Sequence, residues 1–568
     1  MSANPCIVGY NKEHRVFVAN PPSWDRRLHD TTFDIRKSKD GKFLLPDHRD
    51  VGLFLMERFS LIELSESARE RAVQLMKYNA TPDLTGQRFP VDHPFKNPPL
   101  QKQAMALDIA WPLQVTAMFM GIGTGKTFTS INLAAARYLA GQVNRMLVIC
   151  PTSVKPVWAI EMRKHCPVPY DLHVLEAGKG KEFMAFLDSE TNGRMRVLVM
   201  GVEALSQGSG HQLAKTFLER PGKVIGILDE SSRIKNAQTG RTKKAIDIGG
   251  DCEYRLILTG TSITQGVHDL YSQFRFLDWR IIGSKSFVGF KAKYCVMGGY
   301  EGRQIVGYTN LRELMDRIAP YTIQISRDEM VDLPPQSYER RTVKMGPAQR
   351  KALDELGDPF LMMTTLDDKV LAVETVLERM TRYQQIVGGF FPWGKGEGRG
   401  VMPFPGSNPK LDALMDIIAD LPPDTKVLVW ARFLPEIGLI KDALEQAYGH
   451  GSVAVYNGAT TPAQREEILE RFQGDPSLRF YVSNPAMGGI GLTLTAATVA
   501  VYYSNTFSLE DRNQSEGRNY RTGQTQKVLY IDLVADHDID RAMVEAIATK
   551  QSMADWVNRE LKARHDND

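Results

Sequence analysis

The stretch Gly121-Ile122-Gly123-Thr124-Gly125-Lys126-Thr127 decides how this chain folds. The apolar residues 117–120 before it predict the end of a buried strand, and residues 128–139 after it have a helical pattern. Glycines allow successive main-chain N–H groups to turn toward phosphate oxygens, and the N-terminus of the following helix adds a positive dipole end. The stretch therefore predicts a phosphate loop at a strand-to-helix junction of an α/β fold.

Each residue type in this phosphate loop has a predicted role in binding a nucleoside triphosphate. Lys126 reaches the β- and γ-phosphates, and the Thr127 hydroxyl ligates magnesium. The main chain around the phosphates is supplied by Gly123, Thr124 and Gly125. The alternative is an ordinary glycine-rich turn, because the strict form of the motif has glycine where Met120 stands.

An acidic pair further along the chain argues against that alternative. Asp229-Glu230 lies about a hundred residues after the phosphate loop and directly follows the apolar run Val224-Ile225-Gly226-Ile227-Leu228. Doubly wound sheets place their ligand chemistry at the carboxyl ends of parallel strands. Asp229 is the predicted magnesium ligand, and Glu230 is predicted to orient and deprotonate the attacking water. The pair predicts a nucleoside-triphosphate hydrolase with ATP and Mg²⁺ as cofactors, although two solvated carboxylates remain the alternative.

Residues 229–236, Asp-Glu-Ser-Ser-Arg-Ile-Lys-Asn, resemble motif II of the Swi/Snf-type ATPases, a branch of helicase superfamily two. The resemblance covers about residues 95 to 555. Motif II departs from the family at Ser231-Ser232, where Ala-His is usual, and this leaves open how tightly nucleic-acid binding controls hydrolysis. The other family motifs follow in the expected order: the glutamine motif at 99–103, Ia at 148–153 with Trp158 and Glu161, Ib at 197–205, III at 255–261, IV at 427–433, V at 488–497 and VI at 514–524.

The resemblance implies two RecA-like lobes that bind ATP between them, with further site residues outside the phosphate loop. Gln103 is the expected adenine reader. In motif VI, Arg518 and Arg521 are expected to face the nucleotide, with Arg521 as the arginine finger and Gln514 as a further contact. The two arginines are three residues apart, so they share one face if the segment is helical. A basic, solvated helix face is the alternative.

A motor of this kind binds the phosphate backbone of a nucleic acid. Hydroxyls, amides and helix N-termini can hydrogen-bond to phosphates without reading the base sequence. The candidate contacts are Thr152, Ser153 and Lys155 in the first lobe and Thr493 and Thr495 in the second. We therefore expect sequence-independent, salt-sensitive binding to DNA, double-stranded or branched. The alternative for each serine or threonine is simple helix capping.

The predicted fold class is α/β: two RecA-like parallel-sheet lobes with inserted helices, plus a small β-rich N-terminal domain. Short alternating runs place this domain at residues 1–90, and a helix is expected at 65–78. The first lobe is placed at 91–325, and inserted helices (patterns at 348–363 and 370–386) with a flexible loop at 326–409. The second lobe is placed at 410–568 and closes with a helical brace at 538–558.

The composition fits a globular enzyme of two to four domains. Of the 568 residues, 43% are hydrophobic and 24% charged, and the net charge of +3 permits a nucleic-acid partner without indicating one. The five cysteines lack metal-ligand spacing, which argues against a zinc or iron–sulfur site and for a reducing compartment. We see no signal peptide and no apolar run that could span a membrane. The expectation is a cytoplasmic, DNA-associated monomer from a bacterial or phage-infected cell, without a membrane partner.

The leading functional hypothesis, implied by the resemblance, is an ATP-driven translocase on double-stranded DNA in repair, recombination or replication-fork processing. One variant anneals or branch-migrates forked DNA, with the N-terminal domain selecting the structure through basic and aromatic residues at 24–39. A second class is a remodeller that displaces a DNA-bound protein target such as RNA polymerase. A nucleotide-gated binding module without catalysis is disfavoured because every catalytic group is present.

Overall fold

The structure is a computed structural model, and the chain in it forms two compact units with the break between Ser326 and Arg327. It describes residues 6–13, 16–20, 36–46, 51, 54–56, 62–78, 88–206, 208–260, 266–298, 304–326, 334–357, 363–366, 369–372, 376–393, 400–458, 460–486, 493–506, 508–521, 523–537, 540–541, 543–545 and 547–549.

A small five-stranded sheet forms the N-terminal part of the first unit. Its strands lie in the spatial order Arg36–Lys37, Phe43–Pro46, Val16–Asn20, Cys6–Asn11 and Ile62–Leu64. The helix Glu66–Tyr78 follows, and the core between helix and sheet contains Val8, Phe17, Leu45, Leu64 and Ala68. The expected β-rich N-terminal element is therefore present, whereas Trp24, Arg26, Arg27 and Phe33 lie outside the described residues.

A seven-stranded sheet forms the centre of the first unit, and all of its neighbouring strands are parallel. The spatial order is Thr322–Ile325, Val115–Met120, Tyr254–Thr259, Val224–Asp229, Arg145–Cys150, Met195–Gly201 and Tyr170–Val174. The two strands that end at the phosphate loop and at Asp229 are separated by one strand, Tyr254–Thr259. Since parallel strands end at the same edge, both motifs meet there.

Helices connect the strands of this sheet. The α-helices are Gln101–Ala110, Lys126–Leu139, Lys155–His165, Gly180–Asp188, Gly210–Glu219, Gly240–Gly250, Asp269–Leu277, Trp279–Ile282, Phe287–Tyr294 and Leu311–Ile318. Short 3₁₀ turns are formed by Thr152–Val154, Val202–Leu205, Ser231–Ile234 and Ala319–Tyr321. The strands Cys295–Gly298 and Gln304–Tyr308 form an antiparallel hairpin.

Buried arginines stabilise the opposite edge of this sheet, where strands begin and helices end. Arg145 donates to main-chain carbonyls of Phe217, Arg220 and Gly222 around the end of one helix. Arg196 donates in the same way to Phe186 and Ser189. The last carbonyls of a helix have no partner within it and carry the negative end of the helix dipole, so a guanidinium satisfies them and balances their charge. The arginines thus fix the edge away from the predicted site.

The second unit contains a six-stranded sheet whose neighbouring strands are also all parallel. The spatial order is Gln336–Val343, Val528–Ala535, Ala497–Tyr502, Lys426–Trp430, Phe480–Ser483 and Val453–Tyr456. The α-helices of this unit include Pro347–Gly357, Val376–Val387, Pro409–Ala419, Leu434–Tyr448, Pro462–Gly474 and Leu509–Asn519. Together the two parallel sheets and the N-terminal sheet confirm the predicted fold class.

The inserted helices are shorter than the sequence pattern predicts. The first ends at Gly357 rather than 363, and the second begins at Val376 rather than 370. The strands Met363–Leu366 and Lys369–Ala372 occupy the space in sequence between them as an antiparallel hairpin. Gly357 and Pro359 interrupt the first helical pattern, and the β-branched pair Thr364-Thr365 favours a strand. A second hairpin pairs Phe390–Trp393 with Gly400–Pro403.

Two further expectations concern long helices. Most of the brace expected at 538–558 lies outside the described residues. Within the described part of the chain, no helix is long and apolar enough to cross a membrane.

Candidate functional site

The phosphate loop joins the strand Val115–Met120 to the helix Lys126–Leu139. Gly123 and Gly125 have φ angles of +84° and +87°, which belong to the left-handed region that favours glycine. A Cβ atom on Gly125 would lie 2.2 Å from Nε2 of Gln103, so a side chain here would have to displace the end of the Gln103 side chain. The loop therefore has the tight glycine-dependent backbone that the sequence predicts.

The side chain of Gln103 holds the phosphate loop in place. Its Oε1 accepts a hydrogen bond from the Leu100 N–H at 3.0 Å, and its Nε2 donates to the Thr124 carbonyl at 3.1 Å. The buried Thr124 hydroxyl donates to the Gly121 carbonyl at 2.7 Å. The resemblance predicts that Gln103 reads adenine, and the structure places its amide group on the loop backbone.

The ammonium group of Lys126 lies over the same loop. Its Nζ donates to the carbonyls of Met120 at 2.8 Å and Gly121 at 3.2 Å. A Cβ atom on Gly260, which follows the neighbouring strand, would lie 3.6 Å from this Nζ. The cationic group therefore lies where the strands ending at Met120 and Thr259 meet, next to the predicted phosphate position.

Asp229 ends its strand as a buried carboxylate with a defined orientation. Its Oδ2 accepts a hydrogen bond from Nε1 of Trp158 at 2.8 Å, and its Oδ1 accepts one from the Glu230 N–H at 3.0 Å. Burial raises the pKa of Asp229, while the Trp158 hydrogen bond and the charge of Lys126 act in the opposite direction. Carboxylate and hydroxyl oxygens are suitable magnesium ligands, so Asp229 and the half-buried Thr127 fit the predicted cation.

Glu230 adopts a backbone conformation that is uncommon for any residue except glycine. Its φ and ψ are +48° and +58°, in the left-handed region, and the 3₁₀ turn Ser231–Ile234 begins directly after it. Such conformations cost about 1–3 kcal/mol and occur preferentially at functional sites. The strain at Glu230 is consistent with a carboxylate held at the strand end for a specific task.

The predicted backbone contacts of the first unit follow the strand Arg145–Cys150. Thr152 and Ser153 are exposed in the turn Thr152–Val154, and the half-buried Lys155 begins the next helix. The Thr152 hydroxyl donates to Oε2 of Glu203 at 2.7 Å, and Lys155 donates from Nζ to the Leu175 carbonyl at 2.6 Å. The structure thus brings these three residues together at the same edge of the sheet as the phosphate loop.

The predicted residues of motif VI lie on and beyond one helix of the second unit. Gln514 and Arg518 are both 5% exposed within the helix Leu509–Asn519, which Ser508 caps by accepting from the Asp511 N–H at 3.1 Å. Arg521 is half-buried and lies after the helix has ended. The condition for a shared helical face is therefore not met, because the segment stops being helical between the two arginines.

A buried ionic network anchors this helix, and the sequence reasoning missed it. Arg512 donates from Nη1 to Oδ1 of Asp532 at 2.6 Å and from Nε to Oε1 of Glu516 at 2.5 Å. Its guanidinium lies 3.6 Å from the ring centroid of Tyr502. Asp532 belongs to the strand Val528–Ala535, so its pairing with Arg512 holds the helix against that strand. Breaking the pairing would leave a buried charge without this partner. An arginine two residues before Gln514 was the available signal.

Thr493 and Thr495 lie in the segment that leads into the strand Ala497–Tyr502 of the second sheet. Their carbonyls accept from Gln473 Nε2 at 2.7 Å and Gln524 Nε2 at 3.0 Å. The Leu494 N–H donates to the Arg518 carbonyl at 2.8 Å, which joins this segment directly to motif VI. Residues 487–492, the first part of motif V, lie outside the described residues.

Comparison with known families agrees with this arrangement. Residues 117–388 match the SNF2-related domain, and residues 409–523 match the helicase conserved C-terminal domain. The first match contains the phosphate loop and Asp229-Glu230, and the second contains Gln514, Arg518 and Arg521. The chain belongs to the SNF2-type, helicase-like ATPases. The predicted family resemblance is therefore confirmed.

Relatives of this SNF2-type chain occur in distant organisms. YwqA of Bacillus subtilis, whose given name includes the words ATP-dependent helicase/translocase, is 26% identical over 447 residues, covering 77% of this chain and 46% of the relative. The protein CHROMATIN REMODELING 24 of Arabidopsis thaliana is 22% identical over 473 residues, covering 74% and 42%. The chain thus spans less than half the length of either relative. The Sulfolobus solfataricus SWI2/SNF2 ATPase core in complex with double-stranded DNA is 20% identical, with 83% of this chain and 96% of that chain covered and a TM-score of 0.37.

The SNF2-type chain has its own contact at the position where motif II departs from the family. Ser231 is fully buried, and its hydroxyl donates to Oε1 of Gln273 at 2.7 Å. Gln273 is also fully buried, and its Nε2 donates to the Asp269 carbonyl at 3.3 Å. Motif II is therefore tied to the helix Asp269–Leu277 by a polar pair. The signal was a glutamine among the apolar positions Leu270, Phe274 and Leu277.

The substitution Ser231→Ala should destabilise the first unit. It leaves a buried amide oxygen of Gln273 without this hydroxyl donor, which costs about 1–3 kcal/mol. Urea unfolding should show a lower midpoint for this variant. The double variant Ser231→Ala/Gln273→Leu should recover part of the loss, because both partners are then apolar. A single variant as stable as the wild type would show that the pair does not stabilise motif II.

Proposed function

We propose that this protein hydrolyses ATP and uses the free energy to move along double-stranded DNA. The observation that carries the proposal is the meeting of the phosphate loop and Asp229 at one sheet edge. Burial raises the pKa of Asp229, and the positive charge of Lys126 on the loop acts against that rise. The family supports the same conclusion, since the relative YwqA has a name that includes helicase and translocase. The left-handed backbone of Glu230 beside this carboxylate adds support, because such conformations concentrate at functional sites.

Five site residues of the first unit have roles in the proposed hydrolysis. Lys126 binds the β- and γ-phosphate oxygens as the main chain of residues 121–127 surrounds them. Thr127 and Asp229 would hold Mg²⁺, and the bound cation would supply charge neutralisation at the phosphates. Glu230 orients the attacking water and accepts its proton. Gln103 keeps the loop closed through the Thr124 carbonyl, and an adenine contact remains part of its proposed role.

Arg518 and Arg521 are proposed to stabilise the negative charge on the transferred phosphoryl group, with Gln514 as a further nucleotide contact. The resemblance assigns the finger to Arg521, and the structure supports a division of labour between the two arginines. Arg518 is buried in the helix, whereas Arg521 lies past its end and is half-buried. We therefore keep Arg521, the more exposed of the two, as the proposed arginine finger.

The substitution Arg521→Ala should lower kcat far more than it weakens ATP binding. An arginine finger contributes about 10³–10⁵ in rate because it acts on charge that appears in the transition state. We expect at least a thousandfold loss of kcat with ATP affinity changed by only a few-fold. Arg471→Ala, which removes an exposed arginine paired with Asp475, is the matched control. A normal kcat in Arg521→Ala would transfer the finger role away from this residue.

Five residues are proposed to contact the phosphate backbone of DNA: Thr152, Ser153, Lys155, Thr493 and Thr495. In the first unit, Thr152 and Ser153 are exposed on the turn Thr152–Val154, beside the N-terminus of the helix Lys155–His165. Hydroxyls and helix N-termini position phosphates without base contacts, so binding should be independent of sequence and weaken as salt is raised.

The decisive experiment compares ATPase rates without nucleic acid and with duplex DNA, single-stranded DNA, forked DNA and RNA. Strong stimulation by plain duplex is the expected result. A preference for forks or junctions would favour annealing or branch migration, and would assign substrate selection to the N-terminal sheet. The absence of stimulation by all four would overturn the proposal and favour activation by a protein partner. The proposed cellular setting is DNA repair, recombination or replication-fork processing, and stimulation by forked DNA would support the last of these.

A further inference from the structure

Trp158 makes a contact that the family motifs do not explain by themselves. It lies one turn into the helix Lys155–His165, is 0% exposed, and donates from Nε1 to Oδ2 of Asp229 at 2.8 Å. The two residues are 71 positions apart in the sequence. A buried indole N–H needs an acceptor, but an ordinary carbonyl would satisfy it. Here the acceptor is the carboxylate proposed to hold magnesium.

This hydrogen bond determines how the carboxylate can face a cation. One bond reaches each oxygen: Trp158 donates to Oδ2 and the Glu230 N–H donates to Oδ1. The two donors fix the plane of the carboxylate and leave the remaining lone pairs for a metal ion. Partners that orient metal ligands in this way typically account for about 10–100-fold in metal affinity.

The helix that carries Trp158 also begins at the proposed DNA contacts. The turn Thr152–Val154 leads directly into it, and Lys155 is its first residue. Thr152 is bonded to Glu203 and Lys155 to the Leu175 carbonyl, so the start of the helix is held at defined points. A displacement of this helix by a bound phosphate backbone would move Trp158, and with it the Oδ2 atom of Asp229.

We propose that Trp158 is a positioning residue that orients Asp229 for the divalent cation and links cation binding to duplex DNA binding through the helix Lys155–His165. The linkage to DNA rests on the proposed function, whereas the orientation of Asp229 does not. This linkage gives motif II a connection to the DNA contacts although Ser232 stands where the family usually has histidine. Because linkage is reciprocal, duplex DNA should change cation affinity and the cation should change duplex affinity by the same factor.

The test measures how tightly Mn²⁺, used in place of Mg²⁺, binds to the full chain in the presence of ADP. Electron paramagnetic resonance of free Mn²⁺ gives the affinity with and without a plain duplex, and no turnover is required. Trp158→Phe keeps the buried ring and removes the N–H. Trp430→Phe is the matched control, because Trp430 is also 0% exposed and its Nε1 has no hydrogen-bond partner within the described residues. If Trp158→Phe does not fold, benzothienylalanine at position 158 removes the N–H with the shape preserved.

We expect Trp158→Phe to bind Mn²⁺ about 10–100-fold more weakly than the wild type, and Trp430→Phe to bind it normally. In the wild type, the duplex should raise Mn²⁺ affinity, and in Trp158→Phe this effect should be lost. Unchanged Mn²⁺ affinity in Trp158→Phe without DNA would overturn the positioning role and reduce Trp158 to a core residue. A duplex effect that survives in Trp158→Phe would overturn the linkage. A wild type that binds no duplex would contradict the proposed function instead, while the DNA-free measurement still decides the role of Trp158.

Discussion

Lys126→Ala should lower kcat/KM for ATP by at least about a hundredfold. Enzymes typically lose about this much rate when one donor to the negative charge of the transition state is removed. The Nζ of Lys126 lies within hydrogen-bonding distance of the Met120 and Gly121 carbonyls and is the cation held at the phosphate loop. Alanine keeps the helix that begins at this position, because it is the best helix former. The helix is therefore kept, and the loss should come from the missing charge together with the two hydrogen bonds from Lys126 to the loop carbonyls.

The measurement is steady-state ATP hydrolysis together with equilibrium binding of a fluorescent ATP analogue. Lys181→Ala is a suitable control, since Lys181 is an exposed lysine on the helix Gly180–Asp188 of the same unit. It should retain full activity. Wild-type turnover in Lys126→Ala would refute the assignment of residues 121–127 as the phosphate loop.

The parts of the site that sequence predicts well are those in which local geometry dictates the residue type. The phosphate loop needs glycine at positions 123 and 125 because the backbone there is left-handed. The strand Val224–Asp229 ends at the predicted carboxylate because an apolar run in a parallel sheet is buried on both faces. These features depend on residues that are close in the sequence, and therefore they can be predicted without a structure.

The parts that sequence does not predict depend on contacts between distant segments. Nothing in the spacing of Trp158 and Asp229 indicates that one donates to the other, and the same holds for Ser231 and Gln273. The hydrogen bond from the Gln103 amide to the Thr124 carbonyl likewise joins residues 21 positions apart in the sequence. Such pairings are settled by how helices pack on the sheet, which local patterns do not record.

The inserted region shows the same limit at the level of secondary structure. Its apolar spacing is compatible with one helix up to residue 363, but the helix ends at Gly357 and a hairpin begins at Met363. Helical periodicity alone cannot distinguish a short amphipathic strand from the last turns of a helix. Gly357 and Pro359 in the sequence indicate the end of the helix better than the apolar spacing does.

Glu230→Gln should retain ATP binding and lose turnover. Glutamine has the same size and can still hydrogen-bond to a water, but it cannot take the proton, and a general base contributes about 10²–10⁴ in rate. The left-handed backbone at Glu230 is equally demanding for either residue, so the substitution adds no new strain. We therefore expect a fall in kcat of at least a hundredfold with an ATP dissociation constant within a few-fold of the wild type.

Single-turnover hydrolysis and direct binding of labelled ATP separate these two effects of Glu230→Gln. Glu253→Gln provides the control, because Glu253 is a partly exposed carboxylate of the same unit that pairs with Lys223. If Glu230→Gln hydrolysed ATP at the wild-type rate, another group would have to accept the proton from water. If instead it failed to bind ATP, the role of Glu230 would be structural. Bound but unhydrolysed ATP is the result that assigns the proton transfer to Glu230 and leaves Asp229 as the carboxylate that holds the cation.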